Sequence, residues 1–558
     1  MPSLRRLTLL PPWSAALVGA AFLASACGKK SAPPPDADAA ATTTVETTSG
    51  PIADAGNGFV DAGPTGPRVY AIVSPAPIFN ITEWPARDPS KTNDERKGAQ
   101  LVGYLRKGDS AVVKPATIKK SNCAEGWYEL AVGGFICGKL VTPNSGDAAL
   151  ADAPHAPFPE GPLPYDYGLN ITNGTPLYVQ IPTAEEEEKF EHGLGWDRNL
   201  PKKNSGDDPD SSQAAGGGGG DAPWYLQQQN GKPTVKFGDL RGEGFPVQER
   251  MVRGFYVSLD KEVPGKSRKQ RQHHTKFWHT VRNLYAREDH IMVHDVKVEF
   301  QGLNLAAPGE TRHLPLAFVL GFHTHPQKIG DDGRVHHSSE HVERFSIVQL
   351  TGKKQSIAFH DFYETTDGSY LRDIDITVTK PLPPPSGLAP NEKWIDVNLA
   401  SQTLVAFEGD KPVYATLLSS GKHNDDDPEK NHRTPSGDFR IREKHVSATM
   451  DDDGASDGTY SIEDVPWIMY FHGGYALHGA FWHSQWGHER SHGCINLTPT
   501  DARILFGWVG PTLPEGWHGV HATDSNPGTR VIVHDENLEK LKADRAKARA
   551  AAGADAGE

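Results

Sequence analysis

The sequence predicts a mainly β, multidomain protein, in which small β-barrel units are followed by a C-terminal β-rich domain with few helices. Its 558 residues exceed what one hydrophobic core requires, because a domain usually holds about 100–150 residues. Pairs of aromatic residues recur with a constant spacing before residue 391. From there onwards, short apolar runs alternate with polar residues and turn formers, as antiparallel strands require.

The charge balance argues against a nucleic-acid partner. The formal net charge is -14, with 71 acidic against 57 basic residues. No basic cluster follows the first few residues, so the sequence offers no positively charged patch that could bind phosphate groups. The 57 glycines and 44 prolines are concentrated in a few stretches, which we expect to be linkers.

The N-terminus has the pattern of an export signal. Arg5 and Arg6 precede an apolar run, after which small residues lead to Cys27. Small residues before a cysteine resemble the lipoprotein signal, so we expect residues 1–27 to be a signal peptide and Cys27 to be lipidated. The mature protein would then be anchored to a membrane in the cell envelope, on the periplasmic side. The alternative is an ordinary cleaved signal in which Cys27 is incidental.

Three stretches read as segments without a core. Residues 28–66 hold almost no large apolar side chains and predict a disordered linker. A β-rich middle region, residues 143–390, contains a Gly/acidic insertion at about 185–221. The last residues, 536–558, predict a solvated helix or a disordered tail.

The recurring aromatic pairs predict three β-hairpins. In each copy, two adjacent aromatic residues precede a third ring that lies eight positions after the first, and turn formers fill the interval. The copies are Trp127-Tyr128 with Phe135, Phe277-Trp278 with Tyr285, and Phe362-Tyr363 with Tyr370. Two further barrel-like units are therefore expected in the middle region.

The first copy lies in residues 67–142, which resemble bacterial Src-homology-3-like domains. The resemblance rests on the segments Pro77-Ile78-Phe79, Leu105-Arg106-Lys107-Gly108-Asp109 and Trp127-Tyr128-Glu129. It implies a small β-barrel of a kind that often binds cell-wall peptides. The alternative is that these aromatic residues only fill the barrel core.

The possible pairings of the four cysteines are limited, because surplus thiols tend to form disulfides in an oxidising compartment. If Cys27 carries lipid, and Cys123 pairs with Cys137 inside one compact segment, Cys494 remains free. A lone thiol that is retained in an exported protein indicates a function.

Groups suited to nucleophilic catalysis concentrate near Cys494. His478-Gly479 is followed along the chain by Ser491-His492-Gly493-Cys494. An isolated thiol has a pKa near ~8.5 and is mostly protonated at neutral pH, so it needs a base such as His478 to become a nucleophile. Gly493 allows a sharp turn in which amide N–H groups can face an oxyanion.

These residues resemble the motif of the L,D-transpeptidase (YkuD-like) catalytic domain, and the resemblance covers residues 391–535. The segment Thr434-Pro435-Ser436-Gly437-Asp438-Phe439 resembles that domain's Thr-Pro-x-Gly-x-Phe segment. Downstream, Thr498-Pro499-Thr500-Asp501 predicts a helix that begins just beyond Cys494.

The resemblance assigns roles to individual residues. It implies that Cys494 is the nucleophile and His478 the general base, with the main chain around His492, Gly493 and Cys494 as the oxyanion hole. Ser491 and Asn496 would support the turn. His492 is an alternative base. It lies two residues before the cysteine on a tight turn, however, so its side chain is expected to point away from the thiol.

The implied function is a peptidoglycan L,D-transpeptidase. A stem peptide would acylate Cys494, and a second stem would resolve the acyl-enzyme, giving a cross-link between third-position residues without any cofactor or metal. An L,D-carboxypeptidase or a wall-protein attachment enzyme on the same fold would differ only in the acceptor. A non-catalytic peptidoglycan-binding lipoprotein is the alternative from another class.

Histidines in the middle region support a metalloenzyme hypothesis, because imidazoles at close spacing are common zinc ligands. They lack a nearby cysteine and the His-Glu-x-x-His pattern, so His-rich surface turns are the simpler interpretation. The histidines concerned are His323, His325, His336, His337 and His360.

Overall fold

The computed structural model describes residues 64–85, 98–158, 160–192, 194, 224–226, 235–273, 275–424, 427, 431–452, 459–537 and 539. The expected signal peptide, almost all of the linker that follows it, most of the Gly/acidic insertion and most of the C-terminal tail lie outside these residues. The described chain is mainly β, as the sequence predicts. No helix in these ranges is long and apolar enough to cross a membrane.

The first folded segment, here called unit 1 (residues 68–142), is an antiparallel sheet of seven strands. The strands are β1 (Arg68–Ala71), β2 (Ala76–Phe79), β3 (Leu101–Leu105), β4 (Ser110–Lys120), β5 (Cys123–Leu130), β6 (Phe135–Cys137) and β7 (Val141–Thr142). Their order in the sheet is β7-β1-β4-β5-β6-β2-β3. A short 3-10 helix, Gly138–Leu140, precedes the last strand.

Unit 2 (residues 166–293) has seven strands and two short helices. The strands are β8 (Asp166–Asn170), β9 (Thr175–Tyr178), β10 (Val247–Met251), β11 (Tyr256–Pro264), β12 (Lys276–Thr280), β13 (Tyr285–Arg287) and β14 (Ile291–Val293). The helices are α1 (Ala184–Glu191) and α2 (Arg268–Gln272), with 3-10 turns at Trp224–Leu226, Phe237–Leu240 and Glu288–His290. The strand order is β14-β8-β11-β12-β13-β9-β10.

A two-residue strand, β15 (Leu303–Asn304), leads to unit 3 (residues 316–379). The strands of unit 3 are β16 (Leu316–Val319), β17 (Gln327–Ile329), β18 (Val335–His337), β19 (Ile347–Ile357), β20 (His360–Thr365), β21 (Tyr370–Arg372) and β22 (Ile376–Thr379). They are arranged in the order β22-β16-β19-β20-β21-β17-β18.

The three units share one topology, in which the strands of each unit follow the spatial order seventh, first, fourth, fifth, sixth, second and third. The aromatic pairs occupy the fifth strand of each unit and face the sixth in the same register. The matching pairs are Trp127 with Cys137, Phe277 with Arg287 and Phe362 with Arg372. The first ring of each pair is buried. The constant sequence spacing therefore reflects one hairpin built three times.

Helix α1 corrects the expected start of the Gly/acidic insertion, because residues 184–191 are folded. Thr183 caps the helix: its hydroxyl accepts the N–H of Glu186, whose carboxylate accepts the N–H of Thr183. Glutamates in the first turn favour the positive end of the helix dipole. A run of acidic residues that resembles a solvated tract is therefore the N-terminal turn of a helix.

In its described residues, the C-terminal domain contains two sheets and one α-helix. Its strands are β23 (Lys393–Asn398), β24 (Thr403–Glu408), β25 (Lys411–Leu417), β26 (Gly437–Arg440), β27 (Glu443–Asp452), β28 (Tyr460–His472), β29 (Tyr475–Gly479), β30 (Ile495–Leu497), β31 (Gly519–His521) and β32 (Arg530–His534). The helix is α3 (Pro499–Trp508), and the hydroxyl of Thr498 accepts the N–H of Asp501 at its start. The helix thus begins where the capping pattern predicts.

The pairing in this domain is not purely antiparallel. One sheet runs β15-β25-β24-β23-β32-β26, and β23 and β32 are parallel. The other runs β31-β27-β28-β29-β30, and β29 and β30 are parallel. A parallel pair needs a crossover connection, which the loop and turns between β29 and β30 supply. This crossover carries the site described below.

Units 1 and 2 are joined directly to the C-terminal domain. In unit 1, β3 pairs with β31, and in unit 2, Tyr256 of β11 pairs with Ile462 of β28. One continuous apolar core includes Ile78 of unit 1 and Leu477 of the C-terminal domain. The expected separate barrel is therefore packed against the domain that follows it.

Candidate active site

His478 lies on β29, and Cys494 lies beside β30, the strand that pairs with β29 in parallel. Cys494 immediately precedes β30, and the pairing aligns Leu477 with Ile495 and His478 with Asn496. Side chains alternate between the two faces of a sheet, so Cys494 and His478 project from the same face. Both are buried, with 5% and 2% of their surfaces exposed. Cys494 is not part of a disulfide.

The turn before Cys494 is held by the hydroxyl of Ser491. The Ser491 Oγ–H donates to the carbonyl of Cys494, and Oγ accepts the N–H of Gly493 at 3.1 Å. Gly493 has a φ of +126°, and a Cβ atom there would lie 2.6 Å from the ring of Tyr475. Only glycine fits this backbone conformation and this space.

Thr434 joins the upstream motif to the same turn. Its Oγ1 accepts the N–H of Gly421 at 2.9 Å and donates to the carbonyl of Gly493 at 2.8 Å. Thr434 is 1% exposed, so both bonds are shielded from water. The sequence singles out Thr434 as part of a motif, and the structure supplies its role as a support for the turn.

The imidazole of His478 is oriented by its own strand. Its Nδ1 lies 3.1 Å from the carbonyl oxygen of Gly479, and because a carbonyl only accepts, Nδ1 carries the proton. The lone pair of the neutral ring is then on Nε2, which is the state that a general base requires. Trp482 stacks on the ring, with centroids 5.8 Å apart and planes at 26°.

The side chains of His492 and Asn496 contact other rings near the site. His492 stacks on Tyr460 at 5.0 Å and meets His432 edge to face at 4.8 Å. The side-chain amide of Asn496 lies 2.9 Å from Nε2 of His483. Burial, with the nearby charges of Arg490 and His478, lowers the pKa of His483 to about 3, so this ring is neutral, and its Nδ1 accepts the N–H of Gln485 at 3.3 Å. No motif in the sequence marks His483.

The two remaining described cysteines form the expected pair. Cys123 and Cys137 are joined by a disulfide between β5 and β6, with their Cα atoms 6.0 Å apart. Together with Glu125 they are also the only described residues whose three metal-ligating atoms lie within 4.8 Å of one another. The disulfide occupies both sulfur atoms, so it accounts for this cluster without an ion.

The histidines of the metalloenzyme hypothesis are spread over unit 3. His323 and His325 lie near His341, with ring centroids 6.5 and 5.7 Å away. His336 and His337 lie on β18, and His360 pairs with Asp373 at 3.0 Å. In the described chain their donor atoms do not converge as the cysteine cluster does.

The fold and the two motifs define the C-terminal domain as one of the YkuD type. The family model of the YkuD L,D-transpeptidase catalytic domain matches residues 392–533. These residues are therefore an L,D-transpeptidase catalytic domain, and the resemblance seen in the sequence is confirmed for this part of the chain. The Src-homology-3-like character of unit 1 stays a prediction.

The chain is similar to a curated protein and to solved structures. YciB of Bacillus subtilis (strain 168), which is named as an L,D-transpeptidase, is 29% identical over 192 residues, 32% of this chain and 86% of YciB. A mutant Enterococcus faecium L,D-transpeptidase structure is 25% identical with a TM-score of 0.20, covering 26% of this chain and 50% of that chain. The E. faecium catalytic domain solved by NMR is 26% identical with a TM-score of 0.20, covering 26% and 98%. This chain thus spans half the length of the mutant E. faecium protein.

Proposed function

We propose that this protein is a peptidoglycan L,D-transpeptidase that works through an acyl-enzyme on Cys494. The observation that carries the proposal is the placement of a buried cysteine, outside any disulfide, on the same sheet face as His478. The turn that presents the thiol is fixed by Ser491 and Thr434. A nucleophile, a base in the required tautomer and a rigid turn are the parts that covalent acyl transfer needs.

In the acylation step, Nε2 of His478 takes the proton of the Cys494 thiol, and the thiolate attacks the carbonyl carbon of the third residue of a donor stem. The bond between that carbon and the nitrogen of the fourth residue, D-alanine, breaks. His478 returns the proton to the departing amine, which leaves a thioester on Cys494.

In the second step, the side-chain amine of another stem attacks the thioester carbonyl. The amine loses a proton to His478, the carbon–sulfur bond breaks, and the thiol is regenerated as the new amide forms. We assign the oxyanion hole to the main chain of the turn around His492, Gly493 and Cys494.

We also propose that the chain is exported and anchored through lipid on Cys27. The three units of shared topology would act as Src-homology-3-like modules that hold the catalytic domain against wall peptides. Their aromatic-rich hairpins support this proposal, although the first ring of each is buried in its unit. Binding would therefore use the neighbouring, partly exposed rings.

Mass spectrometry of the products tests the proposed reaction. The protein without residues 1–27 is incubated with disaccharide tetrapeptide, beside Cys494→Ala and His478→Ala. We expect a cross-linked dimer with the unaltered protein only. Release of D-alanine with only tripeptide product would indicate an L,D-carboxypeptidase, or an enzyme that needs a protein acceptor. No change in any sample would favour the wall-binding lipoprotein.

A further inference from the structure

The loop that follows the catalytic histidine is held by unit 2. Phe481 in this loop is 5% exposed, and its ring lies 4.0 Å from the ring of Tyr167 and 5.3 Å from that of Tyr256, centroid to centroid. Close aromatic contacts of this kind stabilise a structure beyond the apolar area that they bury. Phe481 is therefore anchored to the accessory unit rather than to its own domain alone.

A hydrogen bond fixes the main chain at the same position. Nε2 of His294, just after the last strand of unit 2, lies 3.0 Å from the carbonyl oxygen of Phe481. Since the carbonyl can only accept, Nε2 of His294 donates. Both the side chain and the carbonyl of Phe481 are thus held by unit 2.

The anchored residue is next to the one that stacks on the base. Trp482 meets Phe481 edge to face at 5.1 Å and stacks on His478 at 5.8 Å. Among the described residues, no carboxylate bonds to His478, whose ring is oriented only by the Gly479 carbonyl and by Trp482. The Gly479 carbonyl is the third group that orients this imidazole through Nδ1, and the indole of Trp482 restrains the ring from its face.

Unit 3 lies close to the C-terminal part of the same loop, at Gly487, and leaves it little room to move. The Gly487 N–H donates to the carbonyl of Leu418 at 2.9 Å. A Cβ at Gly487 would lie 2.6 Å from the side chain of Leu320 in unit 3. The close approach restrains the far end of the loop, so a change at Phe481 cannot be absorbed by shifting the whole loop.

We infer that unit 2 positions the catalytic imidazole: Tyr167, Tyr256 and His294 hold Phe481, which in turn sets Trp482 against His478. Phe481 and His294 are positioning residues, since neither touches the reacting atoms. This inference rests on the proposed role of His478 as the base for Cys494. It predicts that altering unit 2, outside the catalytic domain, changes how readily the Cys494 thiol ionises and reacts.

The rate of Cys494 alkylation by iodoacetamide, followed by intact mass from pH 5 to pH 9, tests the inference without peptidoglycan. The variants are His294→Ala, Phe481→Ala and His478→Ala. His294→Gln serves as the conservative variant, because its side-chain amide can still donate to the Phe481 carbonyl. His273→Ala, an exposed histidine of the same unit, is the matched control, and circular dichroism reports folding.

We expect His478→Ala to lower the rate at pH 7 by about tenfold or more, and to move the midpoint of the pH profile towards that of a simple thiol, near ~8.5. His294→Ala and Phe481→Ala should move the midpoint in the same direction, with a rate loss of about three- to tenfold at pH 7. His294→Gln and His273→Ala should keep the original profile. Wider access to the thiol would scale the rate equally at every pH and would leave the midpoint unchanged.

Two outcomes overturn the inference, and they are distinguishable. If His478→Ala shifts the profile but His294→Ala and Phe481→Ala superimpose on the unaltered protein, unit 2 has no positioning role and the proposed base stands. If His478→Ala itself leaves the profile unchanged, the assignment of the base fails and the inference fails with it. Loss of the circular dichroism signal in Phe481→Ala would leave His294→Ala, with His294→Gln, to decide.

Discussion

Arg106 of unit 1 forms a buried ion pair with Asp464 of the catalytic domain, with Nη1 and Oδ1 2.5 Å apart. The same carboxylate accepts the hydroxyl of Ser258 in unit 2 at 2.5 Å and that of Ser447 in its own domain at 2.8 Å. Burial alone would raise the pKa of Asp464, but Arg106 and these hydroxyls hold it below the usual range. One side chain therefore connects three parts of the protein.

Asp464→Asn tests the importance of this connection. The residue has a φ of +52°, which asparagine tolerates, so the substitution removes the charge without adding backbone strain. Arg106, whose side chain is 19% exposed, would lose this counterion, and we expect a loss of about 3 kcal/mol in the free energy of unfolding. Urea titration followed by tryptophan fluorescence measures it. A loss below about 1 kcal/mol would show that the pair behaves like a surface ion pair.

Lys444→Met should alter the pH dependence of stability. Lys444 is fully buried and donates to the carbonyls of Phe506 and Val509 at the end of α3. Burial, with a smaller effect of Lys393, lowers the pKa of Lys444 to about 7. The unfolded chain then binds more protons than the folded one between pH 7 and the ordinary lysine pKa, near ~10.4, so this residue makes stability rise with pH.

The measurement is the difference in unfolding free energy between the original protein and Lys444→Met at pH 7, 8, 9 and 10. Groups common to both proteins cancel in this difference. We expect the original protein to gain about 2–4 kcal/mol relative to the variant over this range. Lys411→Met, at an exposed position, is the control and should give a flat difference. A flat difference for Lys444→Met as well would contradict a lowered pKa.

Thr434→Val should slow acylation while preserving the fold. Valine has nearly the shape of threonine but cannot bond the Gly421 N–H or the Gly493 carbonyl. We expect a stability loss of about 1–3 kcal/mol and, because the turn before Cys494 loosens, an acylation rate lower by about tenfold to a hundredfold. Thr434→Ser keeps the hydroxyl and should stay within about threefold of the original rate. Equal acylation rates for Thr434→Val and Thr434→Ser would contradict a role of the Thr434 hydroxyl in supporting the turn.

Carbapenem-type β-lactams should acylate Cys494. They present a strained carbonyl to the thiolate, so the resemblance to L,D-transpeptidases implies a covalent adduct equal in mass to the added compound. Intact-mass measurement detects it, and Cys494→Ser or Cys494→Ala should remove it. A mass shift that persists in Cys494→Ala would place the modification elsewhere in the chain.

The sequence correctly predicts the features that depend on patterns of neighbouring residues. The cap at Thr498 marks the start of α3, and the aromatic spacing reflects a hairpin register that is local to each unit. The segments Thr434 to Phe439 and Ser491 to Asn496 identify the catalytic domain. These features depend on residues close together in the chain, where turn chemistry and capping act directly.

Contacts between distant residues could not be predicted in this way. Thr434 and Gly493, like His294 and Phe481, meet only because strands from separate parts of the chain are paired. No periodicity signals a bond between an imidazole and a carbonyl in another unit. Parallel pairing of β29 with β30 was missed for a similar reason, because an apolar strand pattern does not specify its neighbour's direction.

The short separation of the disulfide-bonded cysteines has a consequence for oxidative folding. Cys123 and Cys137 are 14 residues apart, whereas Cys494 lies about 350 residues beyond Cys137, so pairing with Cys494 in an unfolded chain costs about 3 kcal/mol more in loop closure. Oxidation during folding therefore selects the local pair by a wide kinetic margin. Early pairing of Cys123 with Cys137 in the hairpin of unit 1 therefore removes both partners that could otherwise oxidise Cys494, and leaves its thiol reduced.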